Sequence, residues 1–272
     1  MNYKKQKAVR EIARLRCEYL KNPSGIDMEN PRFSWGITRT ERGISQLAYR
    51  VLVADDRKTL DDDIGNFWDS GRIQADQSVN IAYRGKPLLS SKTYFWKVQV
   101  WYCNSEVSDW SEVNTFQTGI ILKADWKAEW LEANDQSIDS PLIRKTFVLK
   151  NEIKEALAHV TGLGYYEFYL NGKKVGDHVL DPAITTYSKR VLYSTYDVTE
   201  MLKNGSNATG MMLGNGALRV KKVEDRYSPG GSANHEFGAP KGLVQIEITF
   251  ADGKRKTIVT DGTWKSSSGP IT

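Results

Sequence analysis

Thirty-three Asp and Glu, three His and two Cys are the side chains of this 272-residue chain suited to acid–base, metal or nucleophilic chemistry. Their spacing assembles none of it. Cys17 and Cys103 stand alone, without a CxxC pair, which argues against a zinc site and against a disulfide framework. His159, His178 and His235 are scattered with no ligand spacing. Asp55-Asp56 and Asp61-Asp62-Asp63 are acidic runs whose plainest reading is solvated loop. There is no Gly-rich phosphate loop and no Ser/His/Asp grouping. Whatever this chain does is therefore sought in its binding surfaces, and in the elements that position them.

Charge narrows the partners. The formal net charge is +5, but residues 1–21 hold seven Lys/Arg and two Glu and so account for all of it. The rest of the chain is balanced, which argues against nucleic acid. No apolar run approaches a membrane span. The opening MNYKKQKAVREIARLR has basic residues but no apolar core, so it is no signal peptide. A cytoplasmic location is favoured over a secreted or periplasmic one.

The most ordered pattern is residues 164–199. Tyr165–Leu170 suits a half-buried strand. Asn171-Gly172 accepts the positive φ values of a tight hairpin turn, and Lys173–Gly176 reads as the return strand. A further strand, Arg190–Tyr196, leads into Asp197-Val198-Thr199, where Asp197 or Thr199 is placed to cap the short turn of residues 200–203. Asn204–Asn207 then launches the strand Ala208–Leu213.

Elsewhere the signals are also those of strands. Gln46–Ala54 alternates with Leu47, Tyr49, Val51 and Val53 on one side. In Tyr94–Tyr102, Tyr94, Trp96, Val98 and Val100 face one way, and Lys97 and Gln99 the other. The Trp and Tyr residues are in phase with Val, so they build a core and do not form an exposed sugar platform. Leu15–Leu20, Pro141–Leu149, Ile153–Gly162, Leu243–Phe250 and Lys256–Thr260 read as further strands. Residues 120–140 form a connector, and residues 214–241 are a loop too long for a simple connection.

These motifs resemble a known family. The order Tyr166-Glu167-x-Tyr169-Leu170-Asn171-Gly172, Val175-Gly176-Asp177, Lys189-Arg190-Val191, Thr195-Tyr196-Asp197-Val198-Thr199 and Gly205-x-Asn207 is similar to the N-terminal β-sandwich of bacterial α-L-rhamnosidases. Leu15-Arg16-x-Glu18-Tyr19-Leu20, Asn22-Pro23-x-Gly25-Ile26-Asp27 and Pro31-Arg32-x-Ser34-Trp35 resemble that family's opening. Thr93-Tyr94-x-Trp96-x-Val98 and the Trp110–Gly119 close look like a fibronectin type III domain. A looser match, NGK…DVT…LxxGxN, points to the sugar-binding domains of β-galactosidase-type hydrolases. The implied fold is all-β: a tail at 1–14, a fibronectin III/immunoglobulin-like sandwich at 15–120, and a galactose-binding-like jelly roll at 121–272.

The resemblance also sets functional expectations. Glycoside hydrolysis uses two carboxyl groups across the scissile bond. The family carries its own on a helical barrel later in sequence, so none is carried over here. In some rhamnosidases a sandwich of this type holds rhamnose with the help of calcium, and the loops after Leu180 and Leu213 are the best candidates for such a site here. Here the family's PGWTDY is replaced by Pro182–Tyr187 and its GDGWYRG by residues 214–220, with loss of Trp, Tyr and Asp. Asp181, Thr185, Thr186, Tyr187, Asn215 and Arg219 remain as a weak polar set. The expectation is an accessory region without catalysis and without a cofactor, calcium being the alternative. Its partners are a rhamnose-containing glycan, held weakly, and the catalytic domain of the same protein. The alternative is a free-standing carbohydrate-binding or interaction protein.

Overall fold

The computed structural model describes residues 11–39, 41–135, 138, 140–218 and 238–270. The chain divides into two compact units, residues 1–123 and 124–272, and both are β-sandwiches.

The first unit contains β1 (Ile12–Cys17), β2 (Arg32–Ile37), β3 (Gln46–Ala54), a short helix α1 (Arg57–Asp61), β4 (Trp68–Asp69), β5 (Ile73–Gln74), β6 (Ile81–Ala82), β7 (Thr93–Tyr102) and β8 (Asn114–Gln117). One sheet has the order β1-β2-β6; the other is β4-β3-β7-β8, with β5 also on β3. Between them Phe33 and Trp35 meet Tyr49, Val51, Val53, Tyr94, Trp96, Val98, Val100 and Phe116. The aromatic residues are core, as their phase predicts. Burying each such side chain contributes roughly 2–3 kcal/mol.

Three details depart from the alternation rule, and each has a local cause. Strand β1 starts at Ile12, inside the segment read as tail, because Ile12 pairs with Ile37 and is buried. Its register shifts between Ala13 and Arg16, so Ile12, Leu15 and Cys17 all reach the core. The chain then turns at Glu18-Tyr19 and does not run on as one strand to Leu20. Cys17 and Leu20 exchange backbone hydrogen bonds of 2.9 and 3.0 Å across the turn.

The second departure is Leu47. A register shift between Gln46 and Ala48 makes it the extra residue of a bulge, and it is exposed while Tyr49, Val51 and Val53 are buried. The third is the far face of β7. There α1 covers the sheet, and Lys97 is buried beside Trp110, its ammonium 4.9 Å from that ring and paired with Asp63. The acidic runs are solvated as expected, with only Asp55 half-buried, but several of their carboxylates also have partners. Asp56 caps α1 by accepting from the Thr59 amide at 2.9 Å, and Asp55 pairs with Lys92 at 2.5 Å.

The second unit contains β9 (Pro141–Leu149), β10 (Ile153–Leu163), β11 (Tyr165–Leu170), β12 (Lys173–Lys174), β13 (Ser194–Asp197), β14 (Gly205–Gly214), β15 (Lys241–Phe250), β16 (Arg255–Val259) and β17 (Lys265–Ser268). Its sheets are β13-β10-β15-β16 and β12-β11-β14-β9-β17. Ala156, Ala158 and Val160 on β10 and Val244, Ile246 and Ile248 on β15 share one core with Phe147, Phe168, Leu170, Met211 and Leu213.

The expected connector is part of this unit's packing. Gln245 is fully buried. Its carbonyl oxygen accepts from the amides of Lys127 (2.7 Å) and Ala128 (3.2 Å), and its amide group donates to the Asp125 carbonyl at 2.9 Å. Leu131 and Gly242 exchange two backbone hydrogen bonds.

Candidate functional site

The hairpin that organises the second unit forms as its residue types dictate. Asn171 and Gly172 have φ of 49° and 79°, the left-handed pair of a type I′ turn. Asn171 is also tied to the later part of the motif. Its side chain donates to Asn207 and to the Met201 carbonyl, both at 2.9 Å, and accepts from the Ala208 amide at 2.9 Å. Asp197 accepts from the Thr199 amide at 3.0 Å, and the Thr199 hydroxyl accepts from the Ala156 amide at 2.9 Å. The conspicuous polar residues of residues 164–207 are thus largely consumed in holding turns to strands.

Asp181 belongs to the same category. Its carbonyl accepts from the Tyr166 amide at 2.9 Å, which lays it alongside the start of β11. One carboxylate oxygen accepts from the Tyr166 hydroxyl, from Ser194 at 2.8 Å and from Tyr196 at 3.4 Å. The His178 ring nitrogen Nδ1 lies 3.4 Å from that oxygen and 3.1 Å from the Tyr196 hydroxyl. Beneath this knot Gly176, at φ +71°, lies against the Tyr196 ring, where a Cβ would come within 2.4 Å of ring carbon Cε1. Burial, reinforced by the bond to Asp181, pushes the Tyr166 phenol far up, and burial also raises that of Tyr196. Both phenols therefore act as neutral donors. The knot is not a nucleophilic triad, because Ser194 donates to the carboxylate itself and the histidine bridges through the same Nδ1.

The other expected residues stay within their own loops. The Thr185 hydroxyl donates to the Arg190 carbonyl, and the Thr186 carbonyl accepts from the amides of Lys189 (2.7 Å) and Arg190 (3.0 Å). Tyr187 is half-buried in that turn. The segment read as the strand Arg190–Tyr196 enters the ladder only at Ser194, because this local turn occupies the chain up to Arg190. Asn215 follows β14, whose Gly214 pairs with Tyr165, and its carbonyl accepts from Leu218 at 3.0 Å. Asp181 and Asn215 therefore lie at one end of β11, on its two sides. Arg219 lies outside the described residues. Among the described residues no three His, Cys, Asp or Glu gather as a metal site.

Sequence reasoning found Asp181 but missed its partners. Tyr166, Ser194 and Tyr196 are separated from it by 13 to 15 positions. The one available signal was their shared place in the motif.

The motif order, the type I′ turn and the two successive sandwiches match a known set of proteins. Residues 12–122 match the family model described as "Rha78A-like, N-terminal immunoglobulin domain". Residues 151–272 match "Alpha-L-rhamnosidase N-terminal domain". The chain carries the N-terminal domains of the α-L-rhamnosidases. An α-L-rhamnosidase of Formosa agariphila is 35% identical over 274 residues, covering 92% of this chain and 29% of the relative. The solved α-L-rhamnosidase of Dictyoglumus thermophilum is 37% identical with a TM-score of 0.85, covering 98% of this chain and 31% of that one. The fold is also that of a Streptomyces avermitilis α-L-rhamnosidase solved with L-rhamnose, at 21% identity and a TM-score of 0.86 over 96% of this chain and 41% of that one. The chain thus spans about three-tenths of the length of the curated relative described here.

Proposed function

We propose that this chain is a non-catalytic accessory region of an α-L-rhamnosidase-like glycoside hydrolase, supporting or shaping substrate recognition for a catalytic domain. The observation that carries the reading is the pair of family matches in order. Two N-terminal domain types follow one another here, in a segment that aligns with less than a third of an α-L-rhamnosidase. The state of the candidate loops supports a mainly architectural part. The Asp181 carboxylate oxygen already accepts several hydroxyl hydrogens, and the Thr185 hydroxyl bonds within its own turn, whereas Thr186 contributes only its backbone carbonyl there. Exposed hydroxyl and amide groups that remain compete with water for modest net gain.

L-Rhamnose should therefore bind this chain in the millimolar range or weaker, about −4 kcal/mol at best, with no response to calcium. Titration calorimetry with L-rhamnose, in calcium and then in chelator, tests this. A micromolar, calcium-dependent dissociation constant would overturn the architectural reading of the loops. Release of p-nitrophenol from its α-L-rhamnoside by the purified chain, above a boiled control, would overturn the non-catalytic one.

A further inference from the structure

Strand β17 pairs with β9 from Ser268 opposite Pro141 to Lys265 opposite Arg144. The ladder ends at Arg144, and the segment 261–264 is then held from both sides, by β9 and by β16. Lys145 Nζ reaches Asp261 at 2.7 Å, and the Trp264 indole donates to the Val259 carbonyl at 2.8 Å. Here lies a cavity of about 280 Å³ lined by Arg144, Lys145, Thr146, Thr263 and Lys265.

The charge of this cavity is unbalanced. Lys145 is neutralised by Asp261. Arg144 and Lys265 stand directly opposite one another across the ladder, and both are exposed. Among the described residues neither has an acidic partner. Like charges in directly opposed positions cost stability, so an anion placed between them relieves that repulsion as well as gaining its own attraction. Arg144 offers a planar fork that matches a carboxylate or a sulfate ester. The Thr263 hydroxyl donates to Asp261, which leaves its lone pairs to accept from a ligand hydroxyl. Thr146 supplies a second hydroxyl. The volume lies just under the usual range of ligand pockets, which limits the occupant to a small one.

We propose that this cavity is a subsite for one acidic sugar unit, its carboxylate or sulfate held between Arg144 and Lys265. The anion part stands on the cavity alone; the sugar part rests on the carbohydrate reading above. It differs from the loops at Asp181 and Asn215 in both place and charge.

The test uses the purified 272-residue chain at low salt, titrated separately with D-glucuronate, D-glucose 6-sulfate, neutral D-glucose and inorganic sulfate, followed by calorimetry and by amide NMR shifts. At least one anionic sugar should bind at least tenfold more tightly than glucose and than inorganic sulfate, and the arm that binds identifies carboxylate or sulfate. Amide shifts should centre on residues 144–146 and 263–265. Arg144→Gln with Lys265→Gln should lose that binding at least tenfold while keeping the wild-type circular dichroism spectrum. Lys265→Gln alone, at an exposed position, provides the same readout if the double variant misfolds. Three outcomes each overturn the proposal: no binding of either anionic sugar, inorganic sulfate binding as well as the sugars, or undiminished binding in the variants. None bears on the accessory reading, which is tested with neutral L-rhamnose and its glycoside.

Discussion

Acidification should destabilise this protein through a single imidazole. His159 on β10 is fully buried, with the Thr195 hydroxyl 2.9 Å from Nδ1 and the rings of Trp126 and Tyr193 against it. Burial pushes its pKa down from 6.5 to about 4. In the unfolded chain the ring returns to about 6.5. Between those two values the unfolded chain binds a proton that the folded one refuses, so stability falls as pH falls through this window. Comparing the two titration curves from pH 7 to pH 5 gives a loss of about 2 kcal/mol from this residue, with little further loss from it below about pH 4. The carboxylates act with the same sign but over a lower pH window. Glu167, held below its usual range by hydrogen bonds from Lys174 and Tyr169, contributes stability above its unfolded value, which is lost as pH falls through the lower folded one. For Asp261 burial works against the carboxylate, yet bonds from Lys145 and Thr263 leave it lowered, so its contribution is lost in the same direction. Both are shared by wild type and variant. Urea midpoints of the wild type and His159→Gln, measured by tryptophan fluorescence at pH 7, 6 and 5, separate the two sources. Gln keeps a polar group for Thr195 but does not titrate. The wild type should lose about 2 kcal/mol more than the variant over that range. The readout is the slope, so any cost of the substitution at pH 7 drops out. Parallel profiles for the two proteins would refute the assignment of a buried neutral imidazole.

Two further substitutions probe the site's architecture. Gly172 has φ +79° and open space where a Cβ would lie, so Gly172→Val acts through backbone strain alone. It should cost on the order of 1–3 kcal/mol, read as a lower urea midpoint; an unchanged midpoint would contradict the type I′ turn. Asp181→Ala removes the acceptor shared by Tyr166, Ser194 and Tyr196 and strands a buried phenol. About 1–3 kcal/mol should be lost, with much of it recovered in Asp181→Asn, which keeps an accepting oxygen. Equal melting temperatures for wild type and Asp181→Ala would show that the knot carries no load.

What was legible in the sequence is what local chemistry decides. Asn171-Gly172 announces its own turn because few pairs tolerate two positive φ values. Strand β7 is legible because one face is buried without interruption from Tyr94 to Tyr102. Leu47 was misread because nothing in a period of two reveals a bulge; the extra residue appears only when Ala48 is set against Trp101. The period of two places Lys97 on the face opposite Trp96 and Val98, but it does not show that Trp110 covers that face and buries it. At the candidate site, Asp181 was legible as a carboxylate in a loop. That its oxygen is saturated depends on strands meeting from both sheets of the unit, which spacing along the chain does not encode. The Arg144–Lys265 pair was hidden for the same reason: it is a product of register.

The stitching of residues 125–131 to Gln245 and Gly242 bears on where this protein can be cut. A fragment made to the limits of the second family match would begin at residue 151. It would discard β9, which lies between β14 and β17 in the five-stranded sheet, and with it the Trp126–Leu131 segment hydrogen-bonded onto the other sheet. Strand β14 would gain a raw edge, β17 would lose its partner, and the ring of His159 would lose Trp126 from its cover. Excision of the second unit as a separable module should therefore begin upstream of Asp125, where the first hydrogen bond to Gln245 is made.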